Sequence, residues 1–203
     1  MAKDYEINVD FLPRKGLVYV DTSGLSWCPS EFKHNLSYES MVMKKVTDFS
    51  ELFLKRGGVL SMPLVLEEIF NEIEYYKELK RRNKKSKNRS SSSTYCNVRN
   101  QRFQNAKKGL SSFRRIYDLL SEGNSRHSRH RTESLEVQKF ISQFPDLSEP
   151  DRELVIAAIN SGDRNGILTA DVPMMKAYKK AVRNFGLEGC FVCDGFRSYV
   201  ETI

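Results

Sequence analysis

The sequence predicts an α/β fold with a mostly parallel sheet, and three observations carry that reading. Short apolar runs recur at Gly16–Val20, Val59–Met62, Gly166–Asp171 and Cys190–Cys193, with no alternation of polar and apolar positions, as in strands covered on both faces. Stretches with apolar residues at helical spacing lie between them. Two of the runs end in an aspartate, Asp21 and Asp171, where polar residues take over from the core. Short apolar strands alternating with helices imply crossover connections and hence parallel pairing.

In chain order, Gly16–Val20 is a buried strand that stops at Asp21-Thr-Ser-Gly. Thr47–Arg56 reads as a helix with Phe49, Leu52 and Phe53 on one side, stopped by Gly57-Gly58. After the apolar stretch Val59–Met62, Pro63 opens a helix. Its stripe runs Val65, Leu66, Ile69, Phe70, Ile73 and Tyr76, fading into basic residues near Lys80. Glu133–Phe144 is amphipathic, and Ser148-Glu-Pro-Asp151 starts a further helix in capping-box fashion, facing Leu154, Val155, Ala158 and Ile159 to the core. Gly166–Asp171 is again a strand ending in aspartate, 173–184 look helical, and Cys190–Cys193 closes as a last strand.

At 203 residues the chain has room for one domain, or one domain with an insertion. It is 39% hydrophobic, enough to build a core, and no apolar run approaches the roughly 18 residues of a bilayer span. The start Met1-Ala-Lys-Asp-Tyr-Glu lacks the apolar core of a signal peptide, so the expectation is an intracellular, cytoplasmic protein without membrane contact. Cys28, Cys96, Cys190 and Cys193 are accordingly expected as reduced thiols. Cys190-Phe-Val-Cys193 has metal-knuckle spacing, but on a strand positions i and i+3 face opposite ways, and no second Cys/His pair completes a tetrahedral site.

Charge is unevenly spread. The net charge is +7, yet residues 77–131 hold 17 Lys/Arg against 3 Asp/Glu, a local +14. The remainder, with 16 against 23, is acidic at −7. A basic insertion over 77–131 in an acidic body, residues 1–76 and 132–203, points to a polyanion partner, because neutralised phosphates release counterions. The Ser90–Ser93 run reads as a solvated loop, whereas Phe103, Leu110, Phe113, Ile116, Tyr117, Leu119 and Leu120 recur at near-helical spacing. The candidate nucleic-acid contacts are Lys80, Arg81, Arg82, Lys84, Lys85, Arg102, Lys107, Lys108, Arg114 and Arg115, and Tyr95, Phe103, Phe113 and Tyr117 are the aromatics interleaved with them. Lys80–Arg89 has the composition of a nuclear localisation signal as well, so a nuclear location stays open. His127 and His130 lie among Arg and Ser without carboxylate or cysteine neighbours and read as solvated.

Four carboxylates have a more specific order. Asp21 and Asp171 close strands, and in an open parallel sheet the strands' carboxyl ends border the ligand crevice. Asp151 sits in the first turn of a helix, and Glu67 or Glu68 near the start of another. Each alone has an ordinary reading: a capping partner for Asp151, turn residues for Asp21 and Asp171, solvated charges for the glutamates. Gathered at one edge they would repel one another, and a hard cation such as Mg²⁺ or Mn²⁺ relieves that repulsion.

In this order the chain resembles the PIN domain family of metal-dependent ribonucleases. The resemblance rests on Val18-Tyr-Val-Asp21-Thr-Ser-Gly-Leu, Met62-Pro-Leu-Val-Leu-Glu-Glu68-Ile, Leu147-Ser-Glu-Pro-Asp151-Arg-Glu-Leu-Val-Ile-Ala-Ala and Ile167-Leu-Thr-Ala-Asp171. With their surrounding elements these cover most of 16–76 and 140–195. The resemblance implies a three-layer α/β/α fold with a central mostly parallel sheet. It implies Asp21, Glu68, Asp151 and Asp171 as the catalytic, metal-chelating set for Mg²⁺ or Mn²⁺, with Thr169 as a supporting hydroxyl. Glu68 is preferred to Glu67 because the family glutamate precedes an apolar residue, here Ile69; helical geometry leaves both open. Val172-Pro-Met-Met175 offers no further acid of the kind some members place there.

The implied activity is hydrolysis of RNA phosphodiesters, with the basic insertion gripping the substrate. An inactive PIN-like scaffold binding RNA or protein, and a nuclease acting on DNA structures, are the competing readings. A protein partner and self-association stay open. No Walker loop and no Gly-x-Gly-x-x-Gly is present, so nucleotide-cofactor chemistry has no support.

Overall fold

The computed structural model describes residues 16–26, 36–85, 93–127, 134–195 and 199–203. Cys28, His130 and most of the Ser90–Ser93 run lie outside the described residues, as do the side chains of Lys84, Lys85, Tyr95, Cys96 and His127. The elements run β1 (Val18–Val20), α1 (Thr22–Ser26), α2 (Leu36–Arg56), β2 (Val59–Leu60), α3 (Pro63–Lys85), α4 (Ser93–His127), α5 (Leu135–Ile141), α6 (Glu149–Asn160), β3 (Gly166–Thr169), α7 (Val172–Asn184), β4 (Phe191–Asp194) and β5 (Tyr199–Thr202).

The five strands form one sheet in the order β2-β1-β3-β4-β5. β1 pairs with β2 and β3 in parallel, and β3 pairs with β4 in parallel. Only β5 runs antiparallel, along β4. Every residue of β1 to β4 is buried, which accounts for their unbroken apolar sequences. The chain leaves β1 toward β2 on one side and later returns as β3 on the other. The strand order therefore reverses between β1 and β3, and α/β sheets bind ligands at such a switch point.

Helices α6 and α7 pack on the central strands, while α4 packs against both α2 and α3. α2 starts at Leu36, earlier than the helix expected from Thr47. Its apolar stripe continues back through Phe49, Val46, Met43 and Val42, but Lys44-Lys45 interrupts the run in the sequence. The helix ends where Gly57 (φ 70°) and Gly58 (φ 64°) take left-handed backbone, which glycine adopts without a Cβ penalty.

The stretch 77–131, read from its charge as an insertion, shares the common core. Its first part prolongs α3 to Lys85, and α4 contributes Leu110, Phe113, Ile116 and Leu120 to the same buried cluster as β1 and β3. The ring of Phe113 stacks on Tyr76 with centroids 5.7 Å apart, so this aromatic holds α4 to α3 and is closed to nucleic-acid bases. Tyr117 is half-buried against Phe70. Lys107, Lys108, Arg114 and Arg115 lie on the exposed side of α4, opposite the apolar residues that face the core.

Cys190 and Cys193 are free thiols with no exposed surface. Burial pushes the Cys193 thiol well above its usual value of 9.0, which keeps it protonated and unreactive. Among the described residues no helix is long and apolar enough to cross a membrane.

Candidate active site

β1 and β3 deliver Asp21 and Thr169 side by side at the switch point. The backbone N–H of Asp21 donates to Leu168 O at 2.9 Å, which fixes where β1 ends relative to β3. Thr169 Oγ1 then donates to Asp21 Oδ2 at 2.8 Å. Ser23, in the first turn of α1, donates its hydroxyl to the same oxygen. The Ser23 and Thr169 hydroxyls lie 3.1 Å apart. The backbone N–H of Ala170 donates to Ser23 Oγ at 3.0 Å, and that of Asp171 to Thr169 Oγ1 at 2.9 Å.

This hydroxyl relay depends on a close approach of α1 to the sheet. A Cβ on Gly195 would stand 2.3 Å from Gly24 O, so the turn after β4 must be glycine for α1 to settle there.

Asp171 caps α7: its Oδ1 accepts the Met174 N–H at 3.0 Å. Asp151 closes the expected capping box. Ser148 donates to Asp151 Oδ2 from its hydroxyl at 2.6 Å and from its backbone N–H at 3.2 Å, while the Asp151 N–H donates to Ser148 Oγ at 3.4 Å. That ordinary structural role does not remove Asp151 from the site, because its charge reaches Asp21. Burial raises the Asp21 carboxyl above its usual 3.8, the Ser23 and Thr169 hydrogen bonds pull it back, and the Asp151 charge adds to the rise.

Glu67 and Glu68 are both exposed on α3, and neither hydrogen-bonds to the aspartates among the described residues. Asp151 acts on Asp21 through its charge and Asp171 is tied to it through the shared Thr169 hydroxyl, whereas the glutamates stand apart on α3. Among the described residues no three His, Cys, Asp or Glu side chains stand together closely enough to hold a metal ion. The donor chemistry nevertheless suits a hard cation. All the groups are carboxylate or hydroxyl oxygens, and Asp21 is a half-buried carboxylate held by the Ser23 and Thr169 hydroxyls and by the Ser23 backbone N–H.

The basic residues divide by environment. On α3, Lys77 pairs with Glu74 at 3.2 Å, and Arg81 and Arg82 share Glu78 at 2.8 and 2.9 Å. Lys80 is half-buried beside them. On α4, Lys107, Lys108, Arg114 and Arg115 are all exposed and make no ion pair among the described residues. They form two adjacent pairs two turns apart, about 10 Å along the axis, a spacing suited to a phosphate backbone. Arg102 is half-buried, and its Nε has no hydrogen-bond partner among the described residues.

Sequence reasoning did not single out Ser23, Lys45, Asp194 or Tyr199. Asp194 ends β4 as Asp21 follows β1, so the strand-end signal was present but fell just past the apolar run. Lys45 is 8% exposed, with its ammonium 5.8 Å from the Phe49 ring centroid. Burial pushes its pKa from 10.5 down to about 8, against the pull of the Asp194 carboxylate.

Compared with family models, curated proteins and solved structures, the chain matches none.

Proposed function

We propose that the chain is a PIN-like, metal-dependent endoribonuclease with a three-layer α/β/α body and a basic outer helix face that grips RNA. The observation that carries this reading is the pairing of Asp21 with Thr169 at the switch point, with Asp171 next along the chain and the Asp151 charge within reach. A scaffold that only binds RNA is the second reading, favoured by the separate, exposed position of Glu68.

Asp21, Asp151 and Asp171 would hold Mg²⁺ or Mn²⁺, with Glu68 as the fourth carboxylate. A bound divalent ion supplies Lewis acidity and lowers the pKa of a coordinated water. The protein's part is orientation. Hydrogen bonds from Ser23 and Thr169 hold the Asp21 carboxylate in one orientation, so little rotamer freedom is lost at binding. Capping hydrogen bonds fix Asp151 and Asp171 in the same way. A carboxylate at this edge is placed to accept a proton from the attacking water. The α4 cations offset the repulsion between the acidic edge and the RNA backbone.

Thermal unfolding with Mn²⁺ and with EDTA separates the two readings. A metal-dependent rise in Tm that disappears in Asp21→Asn supports the nuclease. An unchanged Tm alongside tight RNA binding moves the assignment to the scaffold.

A further inference from the structure

A groove of about 260 Å³ opens between α7 and β5, bordered by Ala170, the residue next to Asp171. Its volume falls below the roughly 300–1,000 Å³ of drug-sized pockets and suits one planar group. Asp194 and Tyr199 are directly opposite each other on the antiparallel β4–β5 pair, so their side chains share one face and meet in the groove. Asp194 is 6% exposed and forms the floor, whereas Tyr199 is 42% exposed and forms a wall. The Tyr199 hydroxyl donates to Glu201 Oε2 at 2.9 Å, and the Lys179 ammonium donates to the same oxygen. The aromatic ring is thereby held in place before any ligand arrives. Val172 faces it as an exposed apolar side chain, and Lys176 at the rim is exposed with no ion pair among the described residues.

A fixed aromatic face, an apolar wall, a deep carboxylate acceptor and a cation at the mouth match one class of ligand. An unpaired nucleobase stacks on the ring, its amino group donates to the carboxylate, and its phosphate meets the lysine. We propose that this groove is a subsite for one unpaired base bearing an exocyclic amino group, next to the cut phosphate. The proposal rests on the nuclease reading for its position beside the cut. A base inside a duplex would first have to leave the stack, which costs least in a single strand. Uracil has no amino donor for Asp194 and binds more weakly than cytosine or adenine.

The test uses the full chain in EDTA, so that nothing is cut, with single-stranded oligoribonucleotides carrying the fluorescent base 2-aminopurine. Stacking on Tyr199 quenches that base. Wild type and Tyr199→Phe are expected to quench, and Tyr199→Leu to lose the quench and about tenfold in affinity, the scale of one stacked base. Quenching and affinity unchanged in Tyr199→Leu overturn the subsite. Lys176→Glu, fully on the surface, gives a second check should Tyr199→Leu not fold: weaker binding is expected, and unchanged binding counts against the site. Competition by uridine homopolymer equal to that by cytidine homopolymer overturns the role of Asp194. Metal-dependent cutting with no effect of Tyr199→Leu leaves the nuclease reading standing and removes the subsite. Tyr199-dependent quenching without cutting in any metal does the reverse.

Discussion

Thr169 Oγ1 donates a 2.8 Å hydrogen bond to Asp21 Oδ2 across 148 positions of sequence. It joins the ends of two strands that become neighbours only because the sheet reverses its order between them. The same hydroxyl accepts from the Asp171 N–H, so one threonine positions two of the candidate metal ligands.

Thr169→Val keeps the shape and removes both bonds. Burial of Asp21 then goes less opposed, and its carboxyl rises further above 3.8. The expected cost is about 1–2 kcal/mol of stability, the range for a lost buried hydrogen bond, measured by denaturant unfolding. The acid limb of the pH–rate profile should move to higher pH, which a purely structural defect would not cause.

Asp21→Asn should raise stability while abolishing activity. The native Asp21 carboxyl lies above its unfolded value, so the folded state holds the proton more tightly. Stability from this group therefore falls as pH rises through the shifted value, and near pH 7 the ionised carboxylate opposes folding. Removing the charge is expected to increase Tm in EDTA at neutral pH and to leave it unchanged at acid pH, where wild-type Asp21 is protonated.

Lys45 gives a second pH signature of opposite chemistry. Its native pKa of about 8 lies below the 10.5 of the free side chain, so between these values the unfolded chain binds the extra proton. Stability should rise with pH across that window and be flat below it. Lys45→Met is expected to remove the slope and to stabilise the protein near pH 7, by at most about 3 kcal/mol less the lost attraction to Asp194. Urea unfolding near pH 7 and near pH 10 measures both.

RNA affinity should depend on the outer face of α4 more than on α3. Replacing Lys107, Lys108, Arg114 and Arg115 by Gln is expected to weaken binding and to reduce the salt slope by roughly 3, at about 0.7 per cation for single strands. Replacing Arg81 and Arg82, which already share Glu78, should change the slope less.

The four parallel strands were legible because they are buried and their sequences are apolar up to the polar residue that closes β3 and β4. β5 was not: as an antiparallel edge strand, Tyr199–Thr202 is only partly covered and mixes aromatic, acidic and hydroxyl residues. The first half of α2 was hidden by Lys45, whose buried stem reads in sequence as a surface charge. Asp21 and Asp171 could be placed at strand ends because such ends are read locally, whereas Thr169 came only from the resemblance to the PIN family. The relation of Glu68 to them depends on how α3 sits against α1, which no local pattern encodes. Tyr199 and Asp194 meet through strand register, equally invisible in the linear chain.

The most direct measurement is cleavage of a labelled, partly structured RNA in Mn²⁺, Mg²⁺ and EDTA, with wild type beside Asp21→Asn and Asp171→Asn. Cutting that requires metal, falls in the single-stranded parts and vanishes in both variants is the predicted result. Salt-sensitive binding with no cutting in either metal, or cutting that survives Asp21→Asn, would contradict it.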